Sequence, residues 1–396
     1  MEKMLFEAMP EAVKRLLDRL ETAGFEAYAV GGCVRDVLMG RTVHDWDLCS
    51  AASPQEVMEL FADCKVLPTG IEHGTVTLLF EGVPYELTMF RAEEDYDGRK
   101  PNVVRPVRTI GEDLCRRDFT VNAMAYSPKH GLIDLYGGRN DLLLGKIRAV
   151  GKAEERFRED YLRILRGLRF SACYGLSIEE ETADAMRKCA EGLSILSGER
   201  VWQELSRLLL GQNAGQVLAE FTDVLQKLSA SWECFNFSIA DGQKLNSFPE
   251  SLSGRLAFLL WQLGEKRETA LCELRCTSEL KRRVQLIWKQ SLSICDGQLP
   301  QKWLSEFPAE TRAEDAENAL ILAGEAYKIG QMKAIMDSNI PMETRELALN
   351  GGDLAKLGVA PGPKMGEILK NLLEAVWRGE VENEKTALAA YMKKEC

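Results

Sequence analysis

The stretch Tyr28-Ala29-Val30-Gly31-Gly32-Cys33-Val34-Arg35-Asp36, followed shortly by His44-Asp45-Trp46-Asp47-Leu48, decides how this chain folds. Residues 26–30 read as a short strand ending at two glycines, and residues 34–39 as a helical turn closed by Gly40. Glycines between a strand and a helix let backbone N–H groups approach phosphate oxygens, and the helix N-terminus adds partial positive charge. Arg35 adds a charged fork. Alone, the same residues also describe a plain turn with a surface Arg-Asp pair. Trp46-Asp47-Leu48 reads as a second strand. Residues two apart in a strand share a face, so Asp45 and Asp47 project together. That is unfavourable unless a cation or solvent relieves the repulsion. Hard oxygen ligands of this kind suit Mg2+, which takes one or two carboxylates and completes its shell with substrate phosphates. A solvated pair at a strand end is the other reading. A phosphate turn just before the pair favours metal-assisted nucleotidyl transfer.

Working outward, apolar residues recur at helical spacing over 5–22, and Gly24 stops that helix. Ser53-Pro54-Gln55-Glu56 predicts a capped helix start. Residues 74–80 and 84–90 alternate as strands joined at Glu81-Gly82. Glu86 lies on the face opposite Tyr85, Leu87 and Met89, so a neighbouring strand could bring it beside the aspartates; an exposed strand glutamate is equally compatible. Residues 92–108 are polar and read as a flexible loop. Arg116-Arg117-Asp118-Phe119-Thr120-Val121-Asn122 sets two planar guanidinium forks ahead of an apolar run, suited to phosphate or carboxylate. In 159–170, read as one helix, Asp160, Arg163 and Arg166 fall on one stripe beside an apolar stripe. An ordinary amphipathic helix would look the same.

From Ala153 onward strand signals nearly vanish and helical periodicity runs to the end, with breaks near 211–215, 241–253, 297–300 and 360–363. The fold class is α+β: a mixed α/β head with a small sheet, then an all-helical remainder. The 396 residues suffice for roughly two to four compact units. The longest apolar runs are too short to cross a bilayer and no signal peptide opens the chain, so a cytoplasmic protein without membrane contact is expected. Eleven cysteines without a C-x-x-C pair, and only three histidines, argue against a zinc cluster. The cysteines read as reduced and mostly buried. The net charge of −11 opposes nucleic-acid binding, but the arginines of 156–169 supply a local basic patch.

Taken in order, Val30–Asp36, Asp45–Asp47, His73–Leu78, Tyr85–Arg91, Arg116–Tyr126, Asp134–Gly138 and Glu159–Phe170 resemble the class II tRNA nucleotidyltransferases and their bacterial poly(A) polymerase relatives, within the polymerase-beta superfamily. Glu199–Leu205 is a weaker match, and Leu347–Asn383 resembles the family's C-terminal region. The resemblance implies a catalytic head over 1–150, a neck over 151–214 that recognises the base, a body over 215–310 and a tRNA-binding tail over 311–396. It implies that Asp45 and Asp47 hold two Mg2+ ions with Glu86 as a third carboxylate. Gly31, Gly32 and Arg35 would meet the triphosphate. Arg116, Arg117, Asp118 and Asn122 would line the nucleotide pocket, and Glu159, Asp160, Arg163 and Arg166 would form its base-reading side. Trp46, large between two aspartates, should face away from the metals.

The implied reaction adds CMP and AMP from CTP and ATP to the tRNA 3′ end. One ion would activate the 3′-hydroxyl and the other would clamp the triphosphate. The intact stretch Glu93–Pro101 and the family-like tail favour full CCA addition over A-only or CC-only addition or polyadenylation. A catalytically inactive tRNA-binding adaptor is the alternative of a different class, opposed by the retained carboxylates. Monomer and homodimer remain equally open.

Overall fold

The computed structural model of the chain describes residues 2–68, 70–96 and 101–395. It divides into two compact units, Met1–Gly242 and Gln243–Cys396. The first opens with α1 (Glu2–Ala8) and α2 (Glu11–Thr22). One helix over 5–22 was expected, but Pro10 divides it. Its ring fixes φ, here −58°, and it has no N–H to donate, so it stands at the N-cap of α2.

There follow β1 (Ala27–Val30), α3 (Gly32–Leu38), β2 (Leu48–Ser50), α4 (Pro54–Leu60), β3 (Lys65–Leu67), β4 (Thr75–Phe80) and β5 (Val83–Met89). Both reciprocal bonds of the Ser53–Glu56 capping box are made. Next come β6 (Arg91–Tyr96), β7 (Pro101–Pro106), α5 (Ile110–Cys115), β8 (Ala125–Ser127), β9 (Gly131–Ile133), α6 (Gly138–Leu143) and β10 (Lys146–Ile147). The helical part begins with α7 (Ala153–Glu159) and α8 (Leu162–Tyr174). After β11 (Ser177–Ile178) it continues through α9 (Glu180–Cys189) and α10 (Gly198–Leu209).

Seven strands form one sheet in the order β3-β4-β5-β2-β1-β8-β9. β1 runs antiparallel to β2 (Ala29 opposite Leu48) and to β8 (Val30 opposite Ala125). β2 runs parallel to β5, with Leu48 opposite Leu87. All of β1 is buried, because both sheet faces are covered, so its sequence is continuously apolar rather than alternating. Ala27, Ala29, Trp46, Leu48 and Leu87 pack with α2, α3 and α4. Tyr28, Val30, Cys49 and Phe90 pack with Ile110 and Leu114 of α5.

Residues 92–108 are not an irregular loop. β6 and β7 pair as an antiparallel ribbon from Arg91 opposite Pro106 to Tyr96 opposite Pro101. Both prolines stand at strand ends, where a missing N–H is tolerated. The polar composition misled because Arg91 and Glu93 of the first strand are held by ion pairs rather than by burial in a core. Residues 97–100 of the expected loop lie outside the described residues.

The reading of the cysteines as mostly buried is also corrected. Of the ten described, all free, four are buried and four exposed.

Helix α8 packs close to the head. A Cβ built on Gly167 would come within 2.4 Å of Met186 Cε and 2.9 Å of Phe119 Cζ. Glycine inside a helix is normally unfavourable, but here it admits a neighbouring ring. Phe119 meets Phe170 edge-on, ring centroids 5.9 Å apart.

The second unit contains helices and no strand among its described residues. Helices Leu252–Trp261, Ser278–Cys295 and Arg312–Ala323 enclose a buried ion pair. Asp315, fully buried, accepts from Arg283 at 2.8 and 2.9 Å and from Ser253 at 3.0 Å. The expected break over 241–253 is shorter than read, because helix Ile239–Ser247 fills part of it. Among the described residues no helix is long and apolar enough to cross a membrane.

The close approach at Gly167 makes a prediction. Gly167→Ala should destabilise the folded chain by about 1–3 kcal/mol through overpacking, despite alanine's better helix propensity. Denaturant melts of the two proteins test it; equal midpoints would show that Met186 and Phe119 yield without cost.

Candidate active site

A cavity of about 530 Å³ opens in the first unit. Its walls are Gly31, Gly32 and Arg35 from the β1–α3 turn, Asp47 before β2, Arg91 and Glu93 of β6, Arg116, Arg117, Asp118 and Asn122 after α5, Asp160, Leu162, Arg163, Arg166 and Phe170 around α8, and Arg200 of α10. Seven arginines face four carboxylates there, so the site is locally cationic in a chain of net charge −11. A larger cavity of about 680 Å³ between α7 and α9 contains none of the motif residues.

Buried acids hold the arginines in place. Asp113 has no exposed surface. Its Oδ1 accepts from Arg116 Nη2 at 2.8 Å and from the Arg91 backbone N–H at 3.3 Å, and its Oδ2 accepts from Arg117 at 3.2 Å. Burial alone would raise this carboxyl, but the charges of Arg116 and Arg117 hold it below the ordinary range. Glu93 accepts from Arg116 Nη1 at 2.7 Å and Arg91 Nε at 3.1 Å. Asp118 accepts from Arg166 at 2.7 Å and from the Asn122 amide at 3.2 Å. Burial again opposes its charge, yet Arg166 and Asn122 bring it down to about 2.

Arg35 is buried and donates to Asp36 at 2.9 Å, Asn122 at 2.6 Å and the Tyr174 hydroxyl at 2.6 Å. Its guanidinium also lies over the Tyr174 ring, 4.2 Å from the centroid. Gly31 adopts φ +77°, a conformation that L side chains rarely take, and its backbone N–H donates to Met124 at 2.9 Å.

Asp45 and Asp47 are not in a strand as expected; β2 begins at Leu48. The backbone before it is still tied to the sheet, since the Asp47 carbonyl accepts from Val30 at 3.0 Å. The expected alternation survives: Trp46 is buried in the core between two exposed aspartates. With Leu48 opposite Leu87 in parallel strands, Asp47 and Glu86 occupy neighbouring positions one residue earlier. Although the residue is exposed, the Asp47 carboxyl stands at the cavity wall, and partial loss of hydration there, with Glu86 and Asp45, raises it above its ordinary value, Arg117 opposing. Among the described residues no three His, Cys, Asp or Glu close on one point as a metal cage. Asp45 and Asp47 offer hard oxygen donors, the type that suits a cation keeping water and substrate oxygens in its shell.

The single helix expected over 159–170 is corrected. Residues 159–170 are not one helix: Asp160 is extended, with φ −147°, between α7 and α8. Its carboxylate caps the Leu162 N–H at 3.0 Å and accepts from Arg200 at 2.8 Å. Arg163 is buried, bonded to Glu159 at 2.5 Å and to the Arg116 carbonyl at 3.1 Å. Asp160, Arg163 and Arg166 still reach the cavity; Glu159, Asp45 and Glu86 are not among its walls.

Glu93, Asp113, Tyr174 and Arg200 were not among the expected site residues. An acidic residue three positions before Arg116 was a usable hint for Asp113, whereas Glu93 lies 23 residues from it. Nothing local marks Tyr174, whose partner is distant in sequence.

The comparisons bear on the whole chain. Residues 27–148 match the family described as the poly A polymerase head domain, 175–223 the RNA- and SrmB-binding site of polymerase A, and 250–392 tRNA nucleotidyltransferase domain 2. A CCA-adding enzyme of Lactobacillus delbrueckii subsp. bulgaricus is 37% identical over 399 residues, covering 98% of this chain and 97% of that protein. One of Streptococcus pneumoniae is 36% identical over 386 residues, covering 96% of each. The crystal structure of the Bacillus stearothermophilus CCA-adding enzyme in complex with CTP aligns with a TM-score of 0.79 at 29% identity over 98% of both chains. With similarity of this extent behind the cavity and its motifs, the chain belongs to the CCA-adding enzymes, a family of tRNA nucleotidyltransferases.

Proposed function

We propose that this chain adds CMP and AMP, taken from CTP and ATP, to the 3′ end of tRNA. One juxtaposition carries the reading: Asp47 and Glu86 lie in adjacent register beside a cavity whose walls include seven arginines. Asp45 and Asp47 would hold Mg2+, with Glu86 as a third carboxylate. Bound there, the cations would polarise phosphoryl oxygens and acidify the attacking hydroxyl. The backbone of Gly31 and Gly32 and the arginine wall would fix the triphosphate, so that most of the acceleration comes from positioning and preset charge. Residues 1–150 would act as head, 151–214 as neck, 215–310 as body and 311–396 as tRNA-binding tail.

Base choice would rest on Asp160 and Arg163. Cytosine and adenine both present an amino donor beside a ring-nitrogen acceptor. An ionised carboxylate only accepts and a guanidinium only donates, which matches that shared pattern. Uracil and guanine present the reverse and would leave polar groups unpaired, discriminated by about 10²–10⁴. The break before α8 supports this role, because it turns the Asp160 carboxylate out of the helix toward Arg200 and the cavity.

Incubation with labelled CTP or ATP and tRNA transcripts ending before, within or just short of CCA should give stepwise completion to CCA. Extension of only one kind of end would show a partial activity, and an A-tract would show polyadenylation.

Asp47→Asn should lower transfer by about 10²–10³-fold or more. The same variant should raise the melting temperature at pH 7. A carboxyl whose folded pKa is raised binds protons more readily in the native state, so it weakens the fold as pH rises through that value. The stabilisation should therefore shrink as the buffer is taken down toward pH 4, near the ordinary aspartate value. A lower melting temperature for Asp47→Asn at pH 7 would contradict the crowding.

Asp160→Ala should reduce use of CTP and ATP and relax the exclusion of UTP and GTP. Single-nucleotide incorporation reports it as ratios of kcat/KM. Wild-type preference retained in both Asp160→Ala and Arg163→Ala would remove the base-reading role.

A further inference from the structure

The stretch Glu199–Leu205 lies in α10, which packs on α8 with Val201, Leu205, Leu208 and Leu209 buried. Glu204 stands 2.7 Å from Arg169 of α8 and ties the two helices by charge. Arg200, one turn earlier on α10, reaches the cavity and donates to Oδ2 of Asp160 at 2.8 Å. The other oxygen, Oδ1, accepts from the Leu162 N–H at 3.0 Å. The next residue is held as well. Gly192, in the 3-10 turn Ala190–Ile195, is bare where a Cβ would overlap the Tyr161 ring. Asp160 is therefore fixed from three sides although it lies between helices.

We propose that Arg200 is a positioning residue that determines base specificity. It acts through Asp160, holding the carboxylate that admits cytosine and adenine and excludes uracil and guanine. The proposal rests on the base-reading role of Asp160 proposed above. The torsion that turns an aspartate carboxylate is broad. Left to turn, the carboxylate would swing away from a base carbonyl, let water come between, and lose its power to exclude. Held at both oxygens, it faces such a carbonyl without relief. Its two oxygens offer about four acceptor positions, so two bonds from the protein leave room for a base amino group. A guanidinium suits the task, because its planar fork is pre-organised where a lysine ammonium is a point charge. Arg200 needs no contact with the nucleotide for this. Selection of the base is then set by a helix 40 residues further along the chain than the carboxylate it governs.

The test is equilibrium binding of CTP, ATP, UTP and GTP to the full chain, comparing wild type, Arg200→Ala, Arg200→Lys, Asp160→Ala and the Arg200→Ala/Asp160→Ala double variant. The preference for CTP over UTP and for ATP over GTP should fall by about 10–100-fold in Arg200→Ala and by less in Arg200→Lys. In the Asp160→Ala background, Arg200→Ala should change both ratios by less than about two-fold, because a residue that acts through another adds nothing once that other is gone. Additive losses in the double variant would mean that Arg200 touches the base itself. Equal losses with all four NTPs would mean that it serves the triphosphate. Either result overturns the proposal, and so does wild-type preference in both Arg200 variants. If Arg200→Ala fails to melt cooperatively, Arg200→Lys decides by the same ratios, alone and combined with Asp160→Ala. Equal affinity of the wild type for all four NTPs, or wild-type preference retained in Asp160→Ala, removes the base-reading role and this proposal with it. Preference lost in Asp160→Ala yet kept in both Arg200 variants counts against Arg200 alone. Transfer by the wild type to tRNA lacking its terminal nucleotides is measured in parallel, and its failure counts against the proposed reaction alone.

Discussion

Guanidinium groups can be gathered around a small cavity only if each is tethered from behind by a carboxylate. The rest of the site follows from this constraint. Asp113 lies beneath Arg116 and Arg117, Asp118 beneath Arg166, and Glu93 beneath Arg91 and Arg116. These acids are buried or nearly so, and isolated burial would drive them neutral. The arginines keep them charged, and they in turn keep the arginines from flying apart. Neither set is stable there without the other. The result is a surface with fixed positive potential whose donors already point in chosen directions.

The same residues join sequence segments that are far apart. Asp118 follows α5, and its partner Arg166 is on α8. Arg35 follows β1, and its partner Tyr174 ends α8. Phe119 and Phe170 make the apolar counterpart of these polar ties. The aromatic run continues outward, with Arg169 over Phe170 at 4.3 Å and Arg41 over Tyr174 at 4.7 Å. Helix α8 is thus registered on the sheet half of this unit by ion pairs, ring contacts and the close approach at Gly167. Whatever occupies the cavity meets strand-borne and helix-borne residues in one frame.

Much of this was legible in the sequence, for identifiable reasons. The glycine turn, the spaced aspartates and the paired arginines are local patterns whose chemistry depends on neighbours in the chain. The sheet around them was legible from apolar runs and alternation. Three features were not. Pro10 was overridden by a helical period that continued on both sides of it. The β6–β7 ribbon carries charge where strands usually carry apolar side chains, because its partners are Arg116 and Asp113 rather than a core. The break at Asp160 is invisible to periodicity, since residues on either side keep the helical spacing; what ends α7 is a carboxylate capping the next N–H. Tyr174 was missed because a site residue defined by a distant partner leaves no trace in its own neighbourhood.

Trp46 has a mechanical consequence. Its indole is buried in the core, while the carboxylates on either side of it face out. Two flexible acids that repel would ordinarily swing apart and dissipate the repulsion. Here neither backbone position can retreat without lifting a buried tryptophan from its socket. The outward placing of both carboxylates is therefore set when the chain folds. In the reaction proposed above, a cation would meet two acids already turned outward.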